Sequence, residues 1–439
     1  MRKLEKAPNW SEEKLYNKAI KIRNEFDLTD LIQKINDDYL YWDKVKYKKT
    51  TDGIEPQIIW AITKLSRILS AKNIKFGNTT FKYNVTDNIQ KGLHEFDLNF
   101  GGNLSSETIL NEEDKKRYLV SSIMEEAIAS SQIEGSVTTR KKAKEMLRKN
   151  KKPINKSEQM IMNNYITIKH IVEIKDEPIT AEKILEIHRL IAYQTMDNTE
   201  DEGRYRDNNE INVIDTIDGE IVHSPPTFEK IPELMVQLFH FFNKKDDNNF
   251  IHPIIKGCIV HFMIGYIHPF VDGNGRTARA LFYWYLLKNG YWLTEYLSIS
   301  RLIVKSKTQY AMAYLYTETD DNDLTYFINF KIKIMLSAYE ELKKYIQRKV
   351  NEKKQLLNFQ KINNINERQA IILKWIFEEP EITLTVKEIQ VRFNTSNQTA
   401  RTDLETLNNM EFLTVKNVNK KTKLFYKSDR FDNIIKKYT

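Results

Sequence analysis

One short window of the sequence combines residue types that could carry out chemistry at close quarters. It runs from His268 to Arg279 and reads HPFVDGNGRTAR. An imidazole can take a proton near neutral pH, and the carboxylate of Asp272 is a hard oxygen ligand suited to Mg²⁺. Arg276 and Arg279 are three residues apart, so on a helix they share a face and can both bind phosphate oxygens. The residue types therefore predict transfer of a phosphate-linked group from a nucleotide.

The centre of the window is a turn formed by Gly273, Asn274 and Gly275. Glycine permits backbone conformations that larger residues resist, so that successive N–H groups can converge on an anion. The pattern predicts a buried helix from Pro253 to Ile267 before the turn and a second helix from Thr277 to Lys288 after it. Because a helix N-terminus favours phosphate, the loop of this helix-loop-helix is expected to face a ligand.

Position for position, the window resembles the signature His-x-Phe-x-Asp/Glu-Gly-Asn-Gly-Arg-x-x-Arg of Fic proteins. The resemblance implies an all-α Fic helical fold with a short β-hairpin flap. It also implies transfer of AMP from ATP to a hydroxyl of a target protein. In that reading His268 is the general base, Phe270 is an apolar anchor and Asp272 binds Mg²⁺. The residues that would hold the phosphates are Gly273, Asn274, Gly275, Arg276 and Arg279.

A second informative stretch lies upstream, from Leu119 to Gly135. Its Ala, Met and Glu residues favour a helix, on which Ser130 and Glu134 lie on one face and which Gly135 is expected to end. Beside the signature, Ser-x-x-x-Glu-Gly resembles the inhibitory helix of many Fic proteins, whose glutamate pairs with the second signature arginine, here Arg279. The resemblance implies that Glu134 competes with the terminal phosphate of ATP. In some relatives the same glutamate supports removal of AMP from targets.

Two β-rich pieces on either side of Asp218-Gly219 predict a hairpin. Fic proteins place a hairpin flap over the active site, where a strand edge can hold an extended target segment by main-chain pairing. The residues expected to contact the target are Val213, Ile214, Ile221 and Val222. An ordinary surface hairpin is the alternative.

Residues 366–439 predict a helix, a helix-turn-helix and a hairpin in that order, which resembles a winged helix. The stretch from Glu352 to Asn366 is expected to be the linker before it. In the predicted recognition helix, Gln398, Arg401 and Thr402 are candidate contacts in a DNA groove. Many winged helices bind DNA and many others bind proteins, and the residues leave both readings open.

The 439 residues exceed the length of a usual single domain. Three regions are predicted: an N-terminal helical region at 1–137 that ends in the inhibitory helix, a catalytic core at 138–350, and the winged-helix-like domain at 366–439. The formal charge of +8 is spread over many Lys residues, so overall charge by itself decides little about nucleic-acid binding.

Composition also bounds the compartment and the partners. One cysteine, Cys258, excludes an internal disulfide framework and a cysteine metal site. The first residues lack the apolar core of a signal peptide, and no apolar run is long enough to span a bilayer. A cytoplasmic protein without a membrane partner is therefore expected. The expected partner is a target protein with a Ser, Thr or Tyr hydroxyl. Self-modification, a homodimer, another nucleotide or phosphate donor, and a nucleotide-sensing DNA-binding regulator stay open as alternatives.

Overall fold

A computed structural model describes residues 4–49, 53–101, 112–214, 219–244, 249–418 and 422–436. The chain divides into two compact units, residues 1–342 and 343–439. Most of the described residues are helical, as the sequence predicts. The finer division of the chain at residues 137 and 350 stays a prediction. No helix in the described ranges is long and apolar enough to cross a membrane.

The first unit opens with helices and one hairpin. These elements are α1 (Glu13–Glu25), α2 (Thr29–Asp38), α3 (Trp42–Val45), α4 (Pro56–Ser70), β1 (Lys72–Phe76), β2 (Thr79–Tyr83) and α5 (Asp87–Phe96). β1 and β2 pair antiparallel, with Lys72 opposite Tyr83. Tyr41 and Trp42 are buried. These two aromatic residues therefore belong to a hydrophobic core of the unit.

The rest of the first unit forms the body around the signature window. Its elements are α6 (Glu112–Ile133), α7 (Arg140–Arg148), α8 (Lys156–Glu173), α9 (Ala181–Ala192), β3 (Val213–Ile214), β4 (Ile221–His223), α10 (Ile231–Asn243), α11 (Pro253–Ile267), α12 (Asn274–Lys288), α13 (Ile299–Lys305), α14 (Lys307–Thr319) and α15 (Thr325–Gln360). α11 and α12 pack against each other at the centre, and nearly every residue of both is buried. A helix that is apolar on all sides is expected in such a central position.

One helix boundary differs from that predicted. The second helix of the signature begins at Asn274, not Thr277, because Gly273 adopts a left-handed conformation with φ of 83° and acts as its N-cap. A single backbone conformation therefore sets where this helix begins.

The second unit begins within α15, which continues to Gln360 through much of the predicted linker. The stretch NEKKQLLNFQ forms helix because it consists mostly of helix formers and contains neither Gly nor Pro. The role of residues 352–366 as a linker stays a prediction. The elements that follow are α16 (Glu367–Glu378), β5 (Thr383–Leu384), α17 (Val386–Arg392), α18 (Asn397–Asn409), β6 (Leu413–Asn417), β7 (Lys423–Lys427) and α19 (Phe431–Ile435). The strands form one antiparallel sheet in the order β5-β7-β6. Helices, helix-turn-helix and hairpin therefore follow in the predicted order.

Candidate active site

The loop between α11 and α12 is closed by its own side chain. The amide of Asn274 accepts a hydrogen bond from Phe270 N at 2.9 Å and donates one to Phe270 O at 2.8 Å. Phe270 is fully buried, which anchors the loop in the core as the signature implied. Because the Asn274 side chain is committed to the loop, its contribution to a bound phosphate would come from its backbone N–H at the start of α12.

His268 caps the C-terminus of α11 in a left-handed conformation, with φ of 49°. Its Nδ1 lies 3.2 Å from the carbonyl oxygen of Gly265. A carbonyl can only accept, so Nδ1 carries the hydrogen and Nε2 keeps its lone pair. Burial, with smaller contributions from the nearby His223 and Arg206, lowers the pKa of His268 to about 4. At neutral pH the ring is therefore a neutral base with Nε2 ready to take a proton.

Asp272 is the acidic residue of the loop, and its side chain is about half exposed. One carboxylate oxygen accepts from Gly273 N at 2.6 Å, and the other lies 3.3 Å from Arg276 Nη2. Among the described residues there is no group of three acidic, His or Cys side chains that could hold a metal. One exposed carboxylate fits Mg²⁺, which binds few protein ligands and completes its shell with phosphate oxygens and water.

The two signature arginines are both buried on α12. Arg276 Nη1 donates to Ile191 O at 3.0 Å. Arg276 Nε and Arg279 Nη1 are buried and have no hydrogen-bond partner within the described ranges. Buried donors without an acceptor are costly, so the pair forms a cationic pocket that an anion would complete.

The end of α6 occupies one side of that pocket. Arg279 Nη2 donates to Glu134 Oε1 at 2.7 Å and to Ser130 O at 3.1 Å, while Arg279 Nε donates to Ser130 Oγ at 2.9 Å. A side chain at Gly275 would overlap Glu134 Oε1, so the carboxylate lies directly against the signature loop. Gly135 follows with φ of 92° and ends the helix. Ser130 and Glu134 thus both reach the second arginine, although 145 residues separate Glu134 from it.

α6 is firmly held in this position. Buried Glu126 accepts hydrogen bonds from Ser300 N at 2.9 Å and from the Ser300 hydroxyl, at the start of α13. Asn164 of α8 donates to Ser131 Oγ at 2.7 Å. Lys307 donates to the carbonyl of Gln132 at 2.7 Å. Its positive charge interacts favourably with the helix dipole at the C-terminal end of α6. The carboxylate of Glu134 is therefore presented by a fixed element.

The predicted flap is present as the short hairpin β3–β4, with Val213 opposite His223 and Ile214 opposite Ile221. Residues 215–218, which follow β3 in the sequence, lie outside the described residues. Ile214 and Ile221 are exposed, and Val213 and Val222 are partly buried. The hairpin is tied to the body by His223, whose ring lies 2.6 Å from Glu318 Oε2 and 2.8 Å from Tyr266 O. The hairpin therefore contacts the body at Tyr266, two residues before His268.

Residues that the sequence did not single out as functional also contact the signature loop. Arg206 donates from Nε to His268 O and from its backbone N to Pro269 O, both at 2.9 Å. His188 contacts the backbone of Asp272, and burial lowers the pKa of His188 to about 4. No spacing in the sequence links these positions to the loop. The only local signals were the apolar stripe beside His188 and the short GRYR segment, residues 203–206, which contains Arg206.

Comparison with known proteins gives a family match that includes the signature window. The model of the Fic/DOC family matches residues 178–286. Two similar proteins are the protein adenylyltransferase Fic of Nematostella vectensis, 36% identical over 117 residues, and that of Drosophila mojavensis, 35% identical over 113 residues. The matched segments are 27% and 26% of this chain and 25% and 20% of those relatives. This chain thus matches a quarter or less of each relative's length.

A solved structure is similar over a longer range. The crystal structure of a Fic family protein from Desulfovibrio desulfuricans G20 superposes with a TM-score of 0.51 at 19% identity. The match covers 78% of this chain and 95% of that one. At this identity the likeness concerns the fold, which is a Fic fold.

Proposed function

We propose that this chain, whose residues 178–286 match the model of the Fic/DOC family, is an autoinhibited protein adenylyltransferase. It would transfer AMP from ATP to a Ser, Thr or Tyr hydroxyl of a target protein. The observation that carries the proposal is the arrangement of one loop: a neutral base at His268, an exposed carboxylate at Asp272, and two buried arginines with unused donors. A family domain with all of these parts supports nucleotide chemistry better than a simple binding role.

The chain's own residues account for each requirement of the transfer. His268 Nε2 takes the proton of the target hydroxyl, while its Nδ1–H stays bonded to Gly265 O. The hydroxyl oxygen then bonds to the α-phosphorus as the bond to the β-phosphate oxygen breaks and pyrophosphate leaves. N–H groups at the start of α12, together with Arg276 and Arg279, hold the charged phosphates. Positioning and charge stabilisation supply most of the catalysis in such transfers.

Asp272 is the residue that would hold Mg²⁺, jointly with the phosphates of the bound nucleotide. When bound, the ion neutralises phosphate charge. The hydrogen bond from Gly273 N to Asp272 Oδ1 orients the carboxylate beforehand. The distance of 3.3 Å between Arg276 Nη2 and the other oxygen is a weak contact, which leaves that oxygen accessible for a cation.

Glu134 would act as the brake. It holds Arg279 at 2.7 Å, and the same guanidinium would otherwise bind the terminal phosphate of ATP. A carboxylate beside the loop also repels an approaching phosphate. Because α6 is fixed by buried contacts such as that of Glu126 with Ser300, relief of inhibition would require a change at the last turn of the helix. Removal of AMP from targets with the help of Glu134 stays a prediction.

Target binding would use the flap. The exposed Ile214 and Ile221 flank a short strand edge, to which an extended target segment could add main-chain hydrogen bonds. Modification of a second copy of this chain fits the same edge, and a homodimer stays a prediction. The single cysteine, Cys258, is free and buried, which fits a reducing compartment such as the cytoplasm.

The test is mass spectrometry of intact and trypsin-digested protein after incubation with ATP and Mg²⁺. Three proteins are compared: the natural chain, Glu134→Gly, and Glu134→Gly combined with His268→Ala. A gain of mass equal to an adenylyl group only in Glu134→Gly would support the reaction, its base and its brake together. To supply target proteins, the three proteins are also incubated with a cell extract and labelled ATP. No labelled protein in any arm, with no ATP binding by calorimetry, would refute the proposal.

A different donor is the main alternative within the same fold. The arms are repeated with GTP, CTP and UTP, and labelling by one of these in place of ATP would change the donor but keep the roles of the residues. Both arginines and Asp272 are in place for a triphosphate, which favours a nucleoside triphosphate over a donor with fewer phosphates.

A further inference from the structure

His188 of α9 lies directly against the signature loop. Its ring stacks on Phe270 with centroids 3.7 Å apart and planes within 2° of parallel. Its Nε2 lies 2.9 Å from the carbonyl oxygen of Asp272, and its Nδ1 accepts a hydrogen bond from Gly203 N at 3.0 Å. The side chain is fully buried. Every polar atom and the face of the ring are therefore used in contacts.

These contacts determine which nitrogen carries the hydrogen. Gly203 N–H is a donor, so Nδ1 of His188 must be an acceptor, and the hydrogen lies on Nε2. Nε2–H then donates to the carbonyl of Asp272, which can only accept. The ring of His188 thus accepts a hydrogen bond from Gly203 N and donates one to the loop.

The link joins three separate parts of the chain. α9 supplies the ring, the segment 203–206 supplies a donor, and the loop supplies the acceptor. The same segment bonds to the loop a second time, through Arg206 Nε to His268 O and Arg206 N to Pro269 O. There is little free space here, since a side chain at Gly203 would approach Leu185 O to 2.9 Å and one at Gly273 would approach His188 Nε2 to 3.3 Å.

We propose that His188 is a positioning residue for Asp272: by holding the Asp272 carbonyl, it sets the direction in which the carboxylate faces the nucleotide and its metal ion. The inference rests on the proposed adenylyl transfer. Rotation of the peptide between residues 272 and 273 would turn the carboxylate away and disturb Gly273 N, which bonds to that carboxylate. Partners that orient a metal ligand typically change metal affinity or activity by about 10- to 100-fold when they are removed.

Two substitutions separate the two hydrogen bonds. In His188→Gln the amide nitrogen can reach the position of Nε2, so the donor to Asp272 O is kept and the acceptor for Gly203 N is lost. In His188→Asn the amide oxygen can reach the position of Nδ1, so the acceptor is kept and the donor to the loop is lost. His188→Phe keeps a flat ring against Phe270 without either hydrogen bond. All three are made in the Glu134→Gly background, where the brake is absent.

A matched control exists at the opposite end of α11. His252 has the same arrangement, because Nδ1 accepts from Ile254 N at 3.2 Å and Nε2 lies 3.0 Å from Asp97 Oδ2. Substitution of His252 by Gln and by Asn therefore perturbs a similar histidine that is remote from the loop. Thermal unfolding of every variant shows the general cost of removing such a residue.

The readouts are the transfer rate, the Mg²⁺ concentration for half-maximal rate at saturating ATP, and the affinity for ATP with Mg²⁺ by calorimetry. His188→Gln should stay within about fivefold of the background in all three. His188→Asn and His188→Phe should need roughly 10- to 100-fold more Mg²⁺ or lose a similar factor in rate and affinity. The two His252 variants should change the unfolding temperature only.

Equal values for the Gln, Asn and Phe variants of His188, whether high or low, would overturn the proposal, because the donor to the loop would then be irrelevant. An Asn variant better than the Gln variant would overturn it as well. These outcomes are distinct from failure of the proposed function, which would leave Glu134→Gly itself without transfer activity.

Discussion

Replacing Glu134 by Gln separates the charge of the brake from its shape. The amide has nearly the same volume as the carboxylate and can still accept a hydrogen bond from Arg279, but it carries no charge. In the natural chain the ion pair is 2.7 Å long, with the Arg279 side chain 3% exposed and the Glu134 side chain 29% exposed. We expect Glu134→Gln to be less stable without nucleotide and to bind ATP more tightly.

The magnitude follows from the burial of the two partners. Breaking a fully buried ion pair costs about 3–5 kcal/mol. Because Glu134 is partly exposed and Ser130 keeps two contacts with the arginine, a loss of roughly 1–2 kcal/mol is expected, which is less than for a fully buried pair. ATP must displace the carboxylate in the natural chain and would be spared that cost in the variant. The affinity for ATP with Mg²⁺ should therefore rise by roughly 5- to 30-fold.

The assay combines chemical unfolding with and without ATP and calorimetric titration of the folded protein. Glu125→Gln is the control on the same helix, because Glu125 pairs with Arg140 and Lys144 and not with Arg279. The control should lower stability and leave ATP affinity unchanged. Equal ATP affinities for the natural chain and Glu134→Gln would refute the reasoning, since Glu134 and the phosphate would then not compete for Arg279.

Three further predictions concern other groups. The pKa of His268 is lowered to about 4, so kcat/KM of Glu134→Gly should be nearly flat from pH 6 to 8. A half-maximal value near pH 6.5 would contradict the lowered pKa of this base. Burial lowers the pKa of His261 in the folded protein well below 6.5. As pH falls, His261 is therefore protonated in the unfolded chain before it is protonated in the folded one, and stability should decline below about pH 6.5. In unfolding at pH 7 and pH 5, His261→Phe should show a smaller decline than the natural chain. Residues 343–439 contain 20 Lys and Arg and 11 Asp and Glu. If this unit binds duplex DNA, its affinity should fall steeply as the salt concentration rises, and Arg401→Ala should weaken the binding. Salt-independent binding in fluorescence anisotropy would contradict a DNA role.

Structural features that depend only on residues close together in the sequence could be predicted from it. The signature window is contiguous, so its helix, loop and helix follow from an apolar run, two glycines and a second apolar run. The order of helices and strands in the second unit followed for the same reason, since caps such as Ser396 act on residues two or three positions away. The helix through residues 351–360 also follows from local composition, since most of these residues are good helix formers.

The tertiary structure decided how distant groups meet at the loop. Glu134 and Arg279 could be paired in advance only through the family resemblance, because no periodicity connects positions so far apart in the chain. His188 and Arg206 carried no local signal, since a polar residue beside an apolar stripe has the same pattern whether it packs or positions a loop. The sequence by itself determined which residues could do chemistry. The packing of α6, α9 and the segment 203–206 around α11 and α12 determined which atoms hold that chemistry in place, because hydrogen bonds between remote segments depend on distances that only the folded chain sets.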